Sequence, residues 1–330
     1  MPETAAAGQG ALRHVRLGRS SVEITRFVLG CAPLAGLYQS VSEEQAAATL
    51  EEAWQLGVRA FDTAPHYGGG ASERRVGRFL AGKPASAYVL STKVGRLLVR
   101  DAVGEGPAPE FAGEEPVVRV RDYSADGVRR SLEESLERLR LDRVDVALVH
   151  DPEEHLDEAL QGAFPALVQM RDEGVVGAVG AGMNFPEPLE RIVREADVDC
   201  ILVAGRYSLL DQSAGRTLLP VCAEHGVSVL AAGVFNGDVL ANPRPGAHYE
   251  YRPASEEVIA RAQAIGDVCA RHGAELAAAA LHFPLRHPAV HAVVVGARSA
   301  DEVRADVSHF ERSVPEDLYE ELVSKGLVQP

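Results

Sequence analysis

Cysteine and uninterrupted apolar sequence are both scarce in this chain of 330 residues. The sequence has no C-x-x-C pair, and its four cysteines lie far apart, at Cys31, Cys200, Cys222 and Cys269. Cys31 and Cys200 fall in apolar runs, so we expect buried, reduced thiols rather than disulfides. No stretch reaches the roughly 18 apolar residues that suggest a membrane-spanning helix. The N-terminus lacks the basic and apolar segments of a secretion signal, so we expect a cytoplasmic protein.

Positive charge is also scarce, because 33 Lys and Arg residues face 48 Asp and Glu residues and leave a net charge of −15. A nucleic-acid surface needs clustered basic residues, and the sequence has no dense basic run. The net charge would also repel anionic lipid headgroups. We therefore expect no nucleic acid and no membrane as partner, whereas a bound dinucleotide needs only a few arginines and helix termini. The oligomeric state stays open.

Short apolar runs alternate with amphipathic segments along most of the chain. The runs are almost continuously apolar, as in parallel strands covered on both faces, and they cover 26–31, 58–63, 88–94, 144–150, 175–182, 200–204, 227–232 and 291–296. The segments between them have a helical apolar period, as in 131–141. Serines stand where these helices would begin, two of them in S-x-x-E/Q capping boxes: Ser42, Ser72, Ser124, Ser255 and Ser299.

The alternation of strand and helix predicts a parallel sheet with helical crossovers. Eight such units fit a closed (β/α)8 TIM barrel, and the G-x-G-x-x-G of an open dinucleotide-binding sheet is absent after the first run. We predict one domain over residues 1–330, with a flexible tail over 1–12 and a hairpin within 13–24 that closes the barrel floor. The long irregular stretches 97–122 and 235–254 each follow a strand, so both should lie on the catalytic rim.

Polar side chains of complementary chemistry follow three consecutive predicted strands. The second strand ends with Asp62, and Tyr67 follows in the next loop; the third ends with Lys93 and the fourth with His150. Three of them have a structural explanation alone, since a strand-end Asp often closes a turn and a Tyr or His often anchors a loop, whereas Lys93 would be unusual in a core. Because barrel strands end at a common rim, we expect the four side chains to form a catalytic site.

These four side chains can manage a proton but not a hydride. A Tyr phenol has a pKa near ~10 and is a weak acid at neutral pH, and an adjacent ammonium would lower that pKa. Lys93 would thus tune Tyr67, Asp62 would hold Lys93 charged, and His150 would orient the substrate oxygen. None of the four carries hydride, so the site requires a nicotinamide cofactor.

Other functional signals are weaker. The histidines and carboxylates of 150–155 fit no zinc-ligand spacing, so we expect a solvated acidic loop and no metal site. A serine hydrolase is disfavoured because the sequence has no G-x-S-x-G. The segment 248–251 is compatible with a lid over the site or with a solvated turn.

Four ordered motifs resemble the aldo-keto reductase family, and the resemblance extends over roughly residues 15–310. The motifs are FDTAPHYGGGASERRVG (61–77), LSTKVGRLL (90–98), RSLEESLERLRLDRVDVALVHDP (130–152) and VVVGARSADEV (293–303). The resemblance implies that Asp62, Tyr67, Lys93 and His150 form the family's catalytic tetrad, with Tyr67 as general acid and base.

Within the family, the segments 90–98, 203–212 and 231–241 are most similar to its sugar-oxidising branch. The similarity implies NAD(P)-dependent oxidation of the C1 hemiacetal hydroxyl of a sugar, with Tyr67 taking the hydroxyl proton. The reverse reaction, reduction of an aldehyde or ketone, uses the same side chains and stays open. The alternative of another class is a non-catalytic subunit that binds cofactor, because some barrels of the family are partners of potassium channels. The expected ligand is a small-molecule carbonyl compound or a sugar.

The resemblance also implies which residues hold the cofactor. Asn184 would bind the nicotinamide carboxamide. The loop that begins at Gly233 and contains Phe235 and Asn236 would clasp the pyrophosphate, where glycine allows close backbone approach. The adenosine end would be met by residues around a helix start: Gly296, Arg298, Ser299, Glu302 and Asp306.

Three positions depart from the commoner family pattern. Ala204 stands where a Gln is frequent. Ala232 replaces the aromatic residue that often stacks on the nicotinamide, which leaves Phe235 or Tyr207 as candidates. Glu302 stands where NADP-preferring members often carry a base, and its carboxylate would repel a 2′-phosphate. The expected cofactor is NAD or NADP, with NAD favoured.

Overall fold

The computed structural model describes residues 13–100, 110–113 and 116–329, so the predicted tail 1–12 lies outside the described residues. In chain order the strands are β1 (His14–Arg16), β2 (Glu23–Thr25), β3 (Phe27–Gly30), β4 (Ala60–Asp62), β5 (Val89–Val94), β6 (Arg96–Val99), β7 (Val118–Arg121), β8 (Val146–His150), β9 (Ala178–Met183), β10 (Cys200–Ala204), β11 (Ser228–Ala232), β12 (His248–Tyr249), β13 (Arg252–Pro253) and β14 (Val290–Gly296).

The helices lie between and after these strands. They are α1 (Glu43–Gln55), α2 (Ala71–Leu80), α3 (Ala125–Leu139), α4 (Leu156–Glu158), α5 (Phe164–Asp172), α6 (Pro186–Glu195), α7 (Ser213–Arg216), α8 (Leu218–His225), α9 (Glu256–Arg271), α10 (Leu276–His282), α11 (Ala300–Glu311) and α12 (Glu316–Ser324). A π-helical turn over Ala159–Ala163 joins α4 to α5. Short 3-10 turns cover Pro33–Ala35, Ala85–Ala87, Glu153–His155 and Pro284–Arg286.

Eight parallel strands close a barrel, and each overlaps one of the predicted apolar runs. They are neighbours in chain order, β3–β4–β5–β8–β9–β10–β11–β14, with β14 pairing back onto β3. Both faces of each strand are covered, by the barrel interior on one side and by helices on the other, which explains the continuous apolar runs. The predicted (β/α)8 barrel is confirmed.

The barrel interior is filled by small and branched apolar side chains and is closed from below by the β1–β2 hairpin. Leu17, Val22 and Ile24 of the hairpin are buried in one cluster with side chains of the barrel strands. The hairpin can lie this close because Gly18 has φ +50°, and a Cβ there would come within 2.2 Å of the Asp199 carbonyl oxygen. The predicted hairpin on the barrel floor is therefore confirmed.

Strand alternation brings the polar strand ends into the barrel mouth. On β4 the side chain of Ala60 lies in the interior cluster, and on β8 so do Val146 and Leu148. Because side chains two residues apart share a face of a strand, Asp62 and His150 point into the same interior, at its carboxyl end. The regular barrel thus delivers these groups to one place without irregular backbone.

Four of the five predicted cap serines begin a helix. Ser42, Ser124, Ser255 and Ser299 each accept a hydrogen bond from the backbone nitrogen three residues later. The prediction for Ser72 is wrong, because α2 already begins after Gly70, which has φ +82°. The Ser72 hydroxyl is buried instead, where it accepts from Thr63 Oγ1 at 2.8 Å and donates to the Cys31 carbonyl at 2.9 Å.

The two capping boxes form only in part. Gln45 does not return to Ser42 but donates to the Arg298 carbonyl oxygen, which ties α1 to the end of β14. The Glu302 carboxylate accepts from the backbone nitrogen of Arg298 rather than from Ser299. In both boxes the long side chain therefore reaches a group outside its own capping residue.

The described parts of the two long loops lie on the rim, as predicted, but they are not irregular throughout. The first contains the antiparallel pair β6–β7 and the second the pair β12–β13.

All four cysteines are buried and free, as expected. Among the residues that the structure describes, no helix is long and apolar enough to cross a membrane. We infer one domain, since the floor hairpin, the barrel and the helices up to α12 pack together.

Helix α2 packs so closely on α3 that it tolerates no side chain at Gly77, where a Cβ would lie 1.9 Å from the Leu139 carbonyl oxygen. We expect Gly77→Ala to lower the free energy of unfolding by about 2–3 kcal/mol, because the two helices must separate. The matched control is Gly82→Ala, where a Cβ would meet nothing within 4 Å. Urea unfolding of both variants checks this, and equal midpoints would contradict it.

Candidate active site

Asp62, Lys93 and Tyr67 form one buried hydrogen-bonded cluster at the carboxyl ends of β4 and β5. Lys93 Nζ lies 2.6 Å from Asp62 Oδ2 and 3.0 Å from Tyr67 Oη. Its remaining hydrogen bond, of 3.1 Å, goes to the carbonyl oxygen of Thr63. Ser91 donates to the second oxygen of Asp62 at 3.0 Å. An ammonium, a carboxylate and a phenol are thus fixed relative to one another.

A compact turn positions Tyr67. Gly68, Gly69 and Gly70 follow it with φ of +59°, +56° and +82°, in the left-handed region that favours glycine. At Gly68 a Cβ would also come within 2.8 Å of the Ala35 side chain. The three glycines let the chain pass from the end of β4 into α2 within a few residues, with the Tyr67 hydroxyl still on Lys93.

His150 completes the group, with its ring centroid 6.0 Å from that of Tyr67. Its Nε2 lies 3.5 Å from Asp151 Oδ2, which accepts a 2.6 Å hydrogen bond from Arg96. Its Nδ1 is shielded from solvent and meets no hydrogen-bond partner among the described residues. An N–H buried there would lose its hydrogen bond to water, so we assign the proton of the neutral ring to Nε2.

The charges in this cluster set its protonation. Burial raises the pKa of Tyr67 to about 12, although the Lys93 ammonium lowers it. Lys93 thus acts on Tyr67 in the expected direction, but desolvation outweighs the cation and the net pKa is raised. Burial disfavours charge on Lys93 too, but Asp62 and Tyr67 outweigh it and raise the pKa of Lys93. Burial, with Arg96 and Lys93, holds the pKa of His150 well below its usual value.

A second polar layer, which the sequence did not predict, lies beside the tetrad Asp62, Tyr67, Lys93 and His150. Arg119 is buried, and it donates to His66 Nδ1 at 2.7 Å and to the His66 carbonyl oxygen at 2.9 Å. Glu110 lies 3.4 Å from His66 Nε2. The position of His66 directly before Tyr67 was the only hint in the sequence.

The 150–155 loop also differs from the expected solvated acidic loop. Asp151 and Glu153 line the cavity above the tetrad, whereas Glu154 is 70% exposed. Burial raises the pKa of Asp151 to about 6, opposed by Arg96. Among the residues that the structure describes, no group of His, Cys, Asp and Glu side chains is arranged to hold a metal ion.

A cavity of about 650 Å³ extends from the tetrad across the barrel mouth to the start of α11. Six predicted cofactor residues line it: Asn184, Gly233, Phe235, Asn236, Gly296 and Arg298. The other three, Ser299, Glu302 and Asp306, do not line it. Ser299 and Glu302 take part in the start of α11 instead, as described above, and Asp306 lies within that helix. One cavity therefore joins the tetrad to the predicted adenosine end.

Polar side chains in the cavity wall between these two ends include Asn184 and Asn236. The Asn236 side chain donates to the Gly205 carbonyl and bonds Ser208, so it joins two loops. Asn184 and Tyr251, which lies in the turn between β12 and β13, both line the cavity. Tyr251 is also 55% exposed, so segment 248–251 combines a cavity contact with a solvated turn.

Phe235 and Tyr207, the aromatic candidates for contact with a nicotinamide ring, are separated by the structure. Phe235 lines the cavity together with Ala204 and Ala232. Tyr207 packs on Phe283, with ring centroids 5.3 Å apart. Phe235 is therefore the better placed of the two.

The far end of the cavity has the features of an anion site with a carboxylate behind it. Arg298 Nε is shielded from solvent and makes no hydrogen bond within the described chain, although it lies 3.3 Å from Glu302 Oε1. A shielded guanidinium nitrogen without a hydrogen bond is compatible with a phosphate or ribose oxygen of a dinucleotide. The Glu302 carboxylate is occupied by the backbone and guanidinium of Arg298. The residues present therefore fit a nicotinamide dinucleotide.

Comparison with known proteins identifies the family. The model of the "Aldo/keto reductase family" matches residues 26–326 of the chain. The chain belongs to the aldo/keto reductase family. This aldo/keto reductase is thus an oxidoreductase whose family uses nicotinamide cofactors and acts on small molecules, and the expectation of an enzyme is confirmed.

Two curated relatives of this aldo/keto reductase are similar over nearly their whole length. A D-threo-aldose 1-dehydrogenase of a Pseudomonas species is 43% identical over 306 residues, 91% of this chain and 93% of the relative. A pyridoxal 4-dehydrogenase of Microbacterium luteolum is 41% identical over 332 residues, 94% and 97% of the two chains. The holo form of an aldo-keto reductase from Bacillus halodurans shares the fold, with a TM-score of 0.76, 24% identity and coverage of 96% and 97%.

Asp306 in α11 offers a test of the electrostatics at the predicted adenosine end. Burial and the nearby Glu302 raise its pKa from 3.8 to about 7. The folded state thus retains a proton that the unfolded state releases, so the carboxyl costs stability increasingly as the pH rises from 3.8 through about 7. We expect Asp306→Asn to stabilise the protein by roughly 1–2 kcal/mol at pH ~8 and by less at pH ~5.

Thermal unfolding at the two pH values measures this difference. Asp301→Asn is the control, since Asp301 is 92% exposed on the same helix. A gain from Asp306→Asn that is equal at both pH values would show that charge is not the cause.

Proposed function

We propose that this aldo/keto reductase is an NAD(P)-dependent dehydrogenase that oxidises the C1 hemiacetal hydroxyl of a sugar to a lactone. The observation that carries the proposal is the buried Asp62–Lys93–Tyr67 cluster with His150 beside it, open to one cavity. Support for the sugar comes from the relative that is named as a D-threo-aldose 1-dehydrogenase and is 43% identical.

In this proposal Tyr67 transfers the proton and its neighbours prepare it. As the C1 hydroxyl is oxidised, Tyr67 Oη, as phenolate, takes the hydroxyl proton. Lys93 stabilises the phenolate from 3.0 Å, and Asp62 holds Lys93 charged. His150 donates from Nε2 to the reacting oxygen and fixes its position. The nicotinamide ring, when bound, supplies the carbon that accepts the hydride.

The direction of the reaction is tied to the protonation of Tyr67. Because burial raises its pKa to about 12, Tyr67 is a neutral phenol near neutral pH. Oxidation requires the phenolate, so its rate should rise as the pH rises above neutrality. The neutral phenol also favours the second candidate, reduction of an aldehyde or ketone, in which Tyr67 donates the proton.

Six residues along the cavity would hold the cofactor in this proposal. Asn184, in the cavity wall, would bind the nicotinamide carboxamide. The backbone from Gly233 would approach the pyrophosphate, with Phe235 and Asn236 in the same loop. Gly296 and Arg298 would meet the adenosine end.

Tyr67→Phe tests the proton transfer. We expect kcat for sugar oxidation and for carbonyl reduction to fall by about 10²–10⁴-fold, because the ring is retained and only the hydroxyl is lost. Nicotinamide absorbance measures both directions. Tyr207→Phe is the matched control, because Tyr207 packs on Phe283. Full turnover by the Tyr67 variant would exclude the mechanism.

Glu302→Gln tests the proposed preference for NAD over NADP. The carboxylate would repel a 2′-phosphate, and its removal frees Arg298, so we expect the ratio of kcat/KM for NADP⁺ to that for NAD⁺ to rise roughly tenfold. Asp301→Asn, one residue away and exposed, controls for surface charge. An unchanged ratio in the Glu302 variant would place the adenosine ribose elsewhere.

A further inference from the structure

Asp151 is held in a conformation that its sequence position does not require. It has φ +45°, in the left-handed region, although it is not a glycine. Its backbone nitrogen donates to the Gly182 carbonyl at 3.0 Å. The buried Tyr123 hydroxyl lies 2.9 Å from the Asp151 carbonyl oxygen and 2.7 Å from that of His150. Strained residues that the surrounding structure fixes in this way are frequent at functional sites.

One oxygen of the Asp151 carboxylate is available to accept a hydrogen bond from a ligand. Its Oδ2 accepts from Arg96 at 2.6 Å and lies 3.5 Å from His150 Nε2. Within the described chain no donor is found for its Oδ1, and the side chain is 25% exposed to the cavity. Glu153, in the same wall, also has a shielded oxygen without a donor in that part of the chain. This wall therefore suits a ligand rich in O–H donors.

The position of Asp151 relative to His150 limits which donor it meets. If His150 Nε2 binds the reacting oxygen, an oxygen that also reaches Asp151 must be separated from the reacting oxygen by few bonds. In a cyclic hemiacetal two oxygens are that close: the ring oxygen and the hydroxyl on C2. The ring oxygen carries no hydrogen, so only the C2 hydroxyl can donate to a carboxylate.

We propose that Asp151 is a specificity-determining residue that accepts a hydrogen bond from the substrate hydroxyl on the carbon next to the reacting carbon. It thereby selects aldoses with a C2 hydroxyl over their 2-deoxy counterparts and over simple aldehydes. This inference rests on the proposed function, because it uses the place of the reacting oxygen on His150. Arg96 is the positioning residue that fixes the carboxylate.

A purely structural role makes a different prediction. Arg96 is buried, with 7% of its side chain exposed, and Asp151 is its ion-pair partner. If Asp151 only neutralised Arg96, its loss would impair the site for every substrate alike. The ratio of activities on a hydroxylated and a deoxygenated substrate separates the two roles, and it does not depend on how much of the variant is folded.

The test is Asp151→Asn, assayed for oxidation of L-fucose and D-galactose and of their 2-deoxy counterparts with NAD⁺ and NADP⁺. We expect kcat/KM to fall about 10–100-fold on the hydroxylated sugars and to change by less than about twofold on the deoxy sugars. Asp157→Asn is the matched control, because Asp157 is 75% exposed on the neighbouring helix α4. Asp151→Gly serves as second variant, since the positive φ favours glycine there.

Each outcome decides the inference. Equal losses on both members of a sugar pair, in either variant, overturn the role of Asp151 and leave the dehydrogenase proposal standing. Wild-type enzyme that oxidises no aldose but turns over pyridoxal or a simple aldehyde overturns the proposed function, and the Asp151 inference with it.

Discussion

The buried ion pair of Lys93 and Asp62 is the interaction on which the rest of the site depends. Each charge would cost several kcal/mol to bury alone, so the pair is tolerable only if its hydrogen-bonding capacity is filled. An ammonium has three donors, and those of Lys93 go to Asp62, Thr63 and Tyr67. The Tyr67 hydroxyl is therefore part of what makes the buried charge stable. Its place is set by electrostatics before any ligand binds.

The back of β5 is secured by a second buried carboxylate. Thr92 faces away from the barrel mouth and donates to Glu73, which also pairs with Arg138 of α3. Glu73 is fully buried on α2, the helix that follows the Tyr67 turn. β5 thus carries the Lys93 ammonium on one face, and on the other face Thr92 contacts Glu73 of α2. The same strand therefore contacts both the Tyr67 turn and α2, the helix that follows it.

The sequence was sufficient to predict the features that depend on the apolar period of the strands. It did not predict the features that depend on which side chains hydrogen-bond to each other. Strand runs and strand ends predicted the barrel and brought Asp62, Lys93 and His150 together, because alternation alone sets a side chain's face. Periodicity says nothing about which distant group fills a hydrogen bond. The contact of Arg119 with His66 depends on the antiparallel pairing of β7 with β6, which no apolar period specifies. The net pKa of Tyr67 likewise depends on burial, which outweighs its visible cation.

The residues that transfer the proton and the residues that can contact the rest of the substrate lie in different parts of the molecule. The proton-transfer groups stand on strand ends and the turn after β4, held by buried pairs that tolerate little change. The groups that can meet the rest of a substrate, such as Asp151 and Glu110, stand on the rim loops and the first residues after the strands. They pair with Arg96 and His66, and these pairs are separate from the hydrogen bonds that hold Lys93 to Asp62 and Tyr67. Relatives with similar sequences can therefore be named for substrates as different as an aldose and pyridoxal. We therefore expect specificity to be set at the rim, because the buried Lys93–Asp62 pair below it tolerates little change.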